Sequence, residues 1–503
     1  MQKAPATTSS WLPRLRRLKC WGQSTAAPDG TRKGHAKKGG TARGRRSSRR
    51  YCPVIRRLPL PLALLAAVVL AAPATHAAGR GANRYVAPAG SGALFLIKGH
   101  GYGHGVGMGQ WGAEGYATHG STYDEILAAY YPGTDLTQTT VHRLRVLLAD
   151  GQTRLTVSSD EAIVVVDGDG AAHTFDAGTT QLTTTLPYPA PLTLSPASGA
   201  TLTLGHAYRG KLVISLVNGK LRAVNVVPLQ QYLDSVVPAE MPSSWKPDAL
   251  EAQAVASRSY ALAGRKPGGA YDVSVSGQSY FGVSTETAPG NAAVDATNGQ
   301  VLMYGDKVAT TVYSSSTGGW TQSATDAWGG EAPYLVSVQD PYDTISPWHS
   351  WAVPVTGKDL TAALGLSRRP VDATVTRNGS KRVAHLDVVL RAHPDASFTG
   401  SAVAIDLNLR SSWFSVGVLS LRPPSPNVVV GPGTDVALGG VVRGVKGVVL
   451  QERPAGGTWT DLEPVTPDPD TGAISIHVTP TVTTQYRLAT TAYIAAWLRI
   501  RVE

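Results

Sequence analysis

Cysteine is almost missing from this chain: of 503 residues only Cys20 and Cys52 carry a thiol. Beyond residue 52 no disulfide, zinc–thiolate site or cysteine nucleophile can be built. Charge is sparse as well, 16% of residues against 54 Gly and 34 Pro, which excludes a coiled coil and points to a turn-rich, β-containing fold. Long apolar runs are also lacking. The longest, residues 58–72, falls short of the ~20 residues of a helical span and contains Pro59 and Pro61, so no stable membrane span is expected.

The formal charge of +11 would suit a nucleic-acid partner, but its distribution does not. Residues 1–78 hold 16 of the 46 Lys and Arg and one acid, Asp29. The remaining 30 bases face 34 acids, a net charge of −4, so no nucleic-acid partner is expected. Arg56-Arg57, the apolar run and the small residues up to Ala78 read as a secretory signal cleaved after Ala77, which predicts a secreted or cell-wall location. Residues 1–53 read as a start-site artefact upstream of a non-AUG start at Val54. Peptides from 1–53 in the unprocessed precursor would refute this.

The expected organisation is a basic leader with signal peptide (1–77), a linker (78–93), a catalytic domain (94–421), a Pro-rich linker (422–427) and a small immunoglobulin-like β-sandwich (428–503). The fold class is α+β, β-rich with a few helices. Period-two alternation at 143–148, 162–166 and 211–216 predicts antiparallel strands. Leu229, Tyr232, Leu233, Val236 and Val237 form a helical stripe that Pro238 should end, and a second helix should enter at Pro247 and run to Tyr260. Glu240 would then lie in a turn between two helices, restrained by Pro238 and Pro242.

Glycine occupies every odd position from 99 to 109. In an extended ribbon one face would be bare backbone, open to a ligand or a second chain segment, and the other would present His100, Tyr102, His104, Val106, Met108 and Gln110. A metal site at His100 and His104 has no third ligand nearby. The fit of Gly107, Gly109 and Gly112 to a dinucleotide fingerprint follows automatically from the glycine repeat. A flexible linker is the remaining alternative.

Glu240 beside Met241 and Trp245 suits a general acid whose proton is retained in low polarity, or else an ordinary exposed loop glutamate. Arg258 suits a ligand clamp or a solvated helix face. Residues 313–321, with Ser315 and Ser316, lack a nucleophile elbow and read as a polar loop lining a groove.

Together these stretches resemble the stage II sporulation protein D / amidase-enhancer family. The resembling residues include Tyr232-Leu233, Val236-Val237-Pro238, Glu240-Met241-Pro242 and Trp245, then Ala252-Gln253-Ala254-Val255-Ala256, Arg258 and Tyr260. Ser314-Ser315-Ser316, Gly318-Gly319, Trp328-Gly329, Pro333-Tyr334-Leu335, His104-Gly105-Val106-Gly107-Met108 and Tyr130-Tyr131-Pro132-Gly133 complete the set.

The resemblance implies a lytic transglycosylase acting on peptidoglycan glycan strands between N-acetylmuramic acid and N-acetylglucosamine, in wall remodelling and sporulation. It places the catalytic acid at Glu240 and a catalytic arginine at Arg258. His100, Tyr102, His104, Met108, Gln110, Trp245, Ser315 and Ser316 would line the cleft. No cofactor is implied, and the family's second name implies a cell-wall amidase as partner. Two departures stand out. The glycine-histidine strip precedes the sheet instead of following the glutamate, and residues 271–282 lack the Cys/His zinc cluster of some relatives, so no structural zinc is expected.

Overall fold

The computed structural model describes residues 84–503. The leader, signal sequence, cleavage site, both cysteines and the first part of the 78–93 linker lie outside the described residues. The rest of that linker is partly ordered: Tyr85–Val86 is a strand that pairs in parallel with Tyr493–Ile494.

The molecule is α+β, and its alternating segments behave as their period requires. Strands Val273–Ser274, Arg143–Gln152, Lys220–Pro228, Lys211–Val217, Leu192–Pro196, Ile163–Val166 and Ala172–Phe175 form one sheet in that order. A four-stranded sheet of His206–Tyr208, Leu202–Leu204, Arg154–Ser159 and Gly178–Thr183 accompanies it. Their inward residues, among them Val157, Ile163, Val165, Leu194, Leu212 and Ile214, share a dry core. Each such side chain contributes about 1.5–3 kcal/mol relative to exposure.

Helices α1 (Gln110–Thr118), α2 (Tyr123–Tyr130), α3 (Leu229–Glu240), α4 (Pro247–Ala263) and α5 (Ala288–Ala296) surround a second core. Helix α4 begins at Pro247 as expected, and is buried on all sides from Ala252 to Ser259, which small alanine and serine side chains help to permit. Helix α3 departs from expectation. It runs through Pro238, so Glu240 is its last residue and not part of a turn between helices. Pro238 forfeits the hydrogen bond to the Asp234 carbonyl, but only one turn remains. The Met241 N–H closes that turn on the Val237 carbonyl at 3.0 Å. Gly290 makes room for the proline ring, since a Cβ there would lie 2.4 Å from Pro238 Cγ.

The carboxy-terminal region is not sealed off at residues 422–427. Trp351–Thr356, Leu94–Gly99, Phe414–Arg422, Val436–Arg443 and Ala473–Val478 form one antiparallel sheet in that order, so the Pro-rich stretch and the short strand Val429–Val430 lie in the connection between two neighbouring strands. Period two explains how one strand serves two cores: Leu94 and Leu96 pack with Leu438, Leu450, Tyr486 and Ile500, whereas Phe95 and Ile97 pack with Leu386, Val388 and Phe414. Strands from outside 428–503 thus share the core and the sheet of that segment.

Candidate functional site

Helix α3 delivers Glu240 at its carboxy-terminal end, half-buried. Its Oε1 accepts the Ser279 N–H at 2.7 Å. Burial raises the carboxyl pKa above the ordinary glutamate range, and the Ser279 bond opposes that only in part. The backbone carbonyl of Glu240 accepts from Gln110 Nε2 at 2.8 Å. That amide also donates to Gln253 Oε1 at 3.3 Å, which brings the end of the glycine-histidine strip, α3 and α4 to one point.

The groups around the carboxyl are neutral and hydrogen-bonded to one another. Gln253 Nε2 donates to Ser257 Oγ at 2.9 Å, and Gln278 Nε2 donates to the Tyr313 hydroxyl at 3.1 Å. Tyr232 donates to Gln278 Oε1 at 3.0 Å. Tyr232, Tyr260 and Tyr313 are pushed upward in pKa by burial and then by the negative charge of Glu240. No carboxylate other than Glu240 takes part in this set of bonds. Such an arrangement can give up one proton and take it back, without a second acid at hand.

Trp245 follows Glu240 on the 241–246 loop and packs on Trp111 with ring centroids 4.7 Å apart. Glu114 of α1 holds this loop by accepting the Lys246 N–H at 2.8 Å. The Trp111 N–H donates to the Ser315 carbonyl at 3.0 Å. Glu240, Gln110, Trp245 and Ser315 are linked by these contacts.

The strip itself is not an extended ribbon. Gly101, Gly103, Gly105 and Gly107 all have positive φ, and the bare face lies against the chain's own segments. A Cβ on Gly107 would sit 2.0 Å from the Val312 carbonyl oxygen, and one on Gly105 2.1 Å from Arg382 Nη2. The close approach foreseen for a ligand or a second backbone is made by backbone and by a buried arginine.

Several other expected site residues are placed elsewhere. Met108 is fully buried in the helical core, so it cannot line a cleft. Ser316 is 1% exposed, and its hydroxyl donates to both oxygens of Asp343 at 2.8 and 2.9 Å. Arg258 is wholly buried and meets no ligand-accessible space. Its guanidinium donates to the Gln300 carbonyl (3.0 Å), Gln230 Oε1 (3.2 Å), the Val294 carbonyl (3.3 Å) and Thr297 Oγ1 (3.4 Å). It clamps α3, α5 and the strand that follows.

His104 accepts the Val106 N–H on Nδ1 at 3.0 Å. Burial, with Arg382 adding to it, pushes its pKa down to about 4 against the opposing Tyr313 carbonyl, so the ring is neutral at pH 7. His100 and Tyr102 lie at the far end of the strip. Tyr102 exchanges backbone bonds with Ser316, and His100 Nδ1 lies 3.1 Å from the His349 carbonyl.

Ser279, Gln278, Trp111 and the Asp343–His349 pair (3.0 Å) were not foreseen, whereas Tyr313 opens the 313–321 stretch read as a groove-lining loop. Trp111, next to Gln110, is the one whose position in the sequence pointed to the site. Among the described residues no three His, Cys, Asp or Glu side chains are grouped to hold a metal ion, and no helix is long and apolar enough to cross a membrane.

Comparison with known proteins falls on this same stretch. Residues 217–304, which carry α3, Glu240, α4 and Ser279, match the family model described as Stage II sporulation protein. The chain is 36% identical to the amidase enhancer of Bacillus subtilis (strain 168) over 137 residues, covering 27% of this chain and 19% of that protein. It is 30% identical to stage II sporulation protein D of the same organism over 164 residues, covering 29% and 48%. With stage II sporulation protein D of Bacillus amyloliquefaciens the identity is 32% over 144 residues, covering 25% and 42%. The chain thus spans less than half the length of each of these relatives. No solved structure matches it.

Proposed function

The chain carries a domain of the stage II sporulation protein D / amidase-enhancer family, and from that premise we infer that it is a secreted lytic transglycosylase of the bacterial cell wall, with Glu240 as its single acid and base. The observation that carries this reading is the Glu240 carboxyl itself: half-buried, raised in pKa and surrounded by neutral partners.

In the proposed reaction the protonated carboxyl gives its proton to the glycosidic oxygen as the bond from the N-acetylmuramic acid anomeric carbon breaks. The resulting carboxylate then takes the proton of the muramyl 6-hydroxyl, whose oxygen bonds to that carbon and closes a 1,6-anhydro ring. No water is consumed and no second carboxylate is required, unlike the paired acids of ordinary glycosidases. Trp111 and Trp245 offer ring faces on which pyranose units can stack.

The test is to incubate the protein with glycan strands stripped of stem peptides and look for anhydromuramyl ends by mass spectrometry. The enzyme reading expects such ends and their loss in Glu240→Gln; ends produced equally by that variant would overturn it. A second reading, a non-catalytic enhancer of a wall amidase, is favoured by the relative named amidase enhancer. It expects no anhydro ends and an amidase stimulation that survives Glu240→Gln.

A further inference from the structure

Residues 428–503 contain six Lys or Arg against seven Asp or Glu, so this segment is not basic as a whole. Its cations are nonetheless gathered on one side. Arg453, on strand Val449–Pro454, lies opposite Gln485 on Thr484–Ala489, and Gln485 lies opposite Arg499 on Leu498–Val502. Arg487 stands two residues from Gln485, and Arg501 two from Arg499, so period two puts all four arginines on one face. The opposite face carries Leu450, Tyr486, Leu488 and Ile500, which are buried in the sandwich core, so the arginines point outward.

The groups that steady these guanidiniums do not neutralise them. Arg453 Nε donates to Gln485 Oε1 at 2.9 Å and Arg487 Nε to Gln451 Oε1 at 2.8 Å: both acceptors are amide oxygens. One carboxylate joins the set indirectly, Asp461, which accepts from Gln451 Nε2 at 2.7 Å. Arg84, which donates to the Thr490 carbonyl, adds a further cation. Burial, then Arg84 and Arg453, push the Arg487 pKa down to about 10, as uncompensated like charges do.

Aromatic rings lie among the cations. The guanidinium carbons of Arg487 and Arg453 stand 3.8 and 4.9 Å from the Trp459 ring centroid, and that of Arg499 stands 5.4 Å from Trp497. Beside them is a recess of about 520 Å³ lined by Arg453, Gly456, Thr483, Gln485 and Arg499.

We propose that this face is a binding site for a phosphodiester-linked polyol polymer. Guanidinium forks match phosphate oxygens bidentately, and the tryptophans suit the uncharged units between phosphates. Arg487 and Arg501 lie two residues to opposite sides of the row formed by Arg453, Gln485 and Arg499, about 13 Å apart along the strands, so the four cations form a track longer than one phosphate and suit successive phosphates of a chain. The site is separate from Glu240 and does not depend on the reading of that residue.

The experiment is calorimetric titration of the full chain with poly(glycerol phosphate) at low and high salt, with a single-stranded DNA oligomer of equal charge as a second arm. Binding should weaken steeply with salt, and the triple variant R453A/R487A/R499A should lose about tenfold or more in affinity. Gln485→Glu, which places a carboxylate between Arg453 and Arg499 with little change of shape, should weaken binding with an unchanged melting temperature. Glu240→Gln should bind as the parent does. Absence of low-salt binding, equal affinity in the triple and Gln485→Glu variants, or tighter binding of the DNA oligomer would each overturn the proposal.

Discussion

The side chain of Gln110 donates to the backbone carbonyl of Glu240 across 2.8 Å, joining positions 130 residues apart. That bond makes Gln110 a positioning residue. Gln110→Ala leaves the Glu240 carbonyl and Gln253 Oε1 without their donor, a cost of about 1–2 kcal/mol in stability. Displacement of the helix end should lower kcat for glycan cleavage by roughly ten- to a hundredfold while KM changes little. Equal loss in both constants would contradict a positioning role.

The pH dependence of cleavage should follow the raised pKa of Glu240. The reactive form is the acid, so activity is present below that pKa and is lost as pH rises through it. The alkaline limb of kcat/KM should therefore fall above the ordinary glutamate range. A limb inside that range would mean that water reaches the carboxyl freely.

Arg258 should matter for folding and not for chemistry. Its removal takes the charged donor from the Gln300 carbonyl and Gln230 Oε1 in the interior. Arg258→Met is expected to cost about 3 kcal/mol or more by denaturant unfolding, with the KM of the folded fraction unchanged. An increase in KM at unchanged stability would return the residue to the binding site.

Asp340 supplies a pH effect on stability. It is 1% exposed, its Oδ2 accepts from Thr317 Oγ1 at 2.7 Å, and burial followed by the neighbouring Asp343 raises its pKa to about 7. The folded state then holds a proton that the unfolded state has already released. Stability falls as pH rises from the ordinary aspartate range to about 7, by at most about 4 kcal/mol. Asp340→Asn should flatten the decline in thermal unfolding profiles across that interval. An unchanged slope would assign the decline to other groups.

What could be read from residue order was what local physics decides. Alternation at 163–166 and 211–216, the start of α4 at Pro247 and the apolar stripe of α3 needed only periodicity and proline geometry. The continuation of α3 past Pro238 was not legible, because the gap that accepts the ring is provided by Gly290, some fifty positions away. Arg258 reads as a ligand clamp until its acceptors are known, and these come from α3, α5 and a later strand. Ser279 reaches Glu240 through its backbone N–H, which no side-chain pattern marks. The stretch at 423–427 has the composition of a spacer, and pairing of Phe414–Arg422 with Val436–Arg443 is a tertiary fact that composition does not encode.

The strand Leu94–Gly99 is the second of five in the shared sheet and leads without interruption into the strip that ends at Gln110 and Glu240. Cutting the chain at residue 425 would therefore strip the cover from Leu94, Leu96 and Leu419 instead of releasing a tidy module.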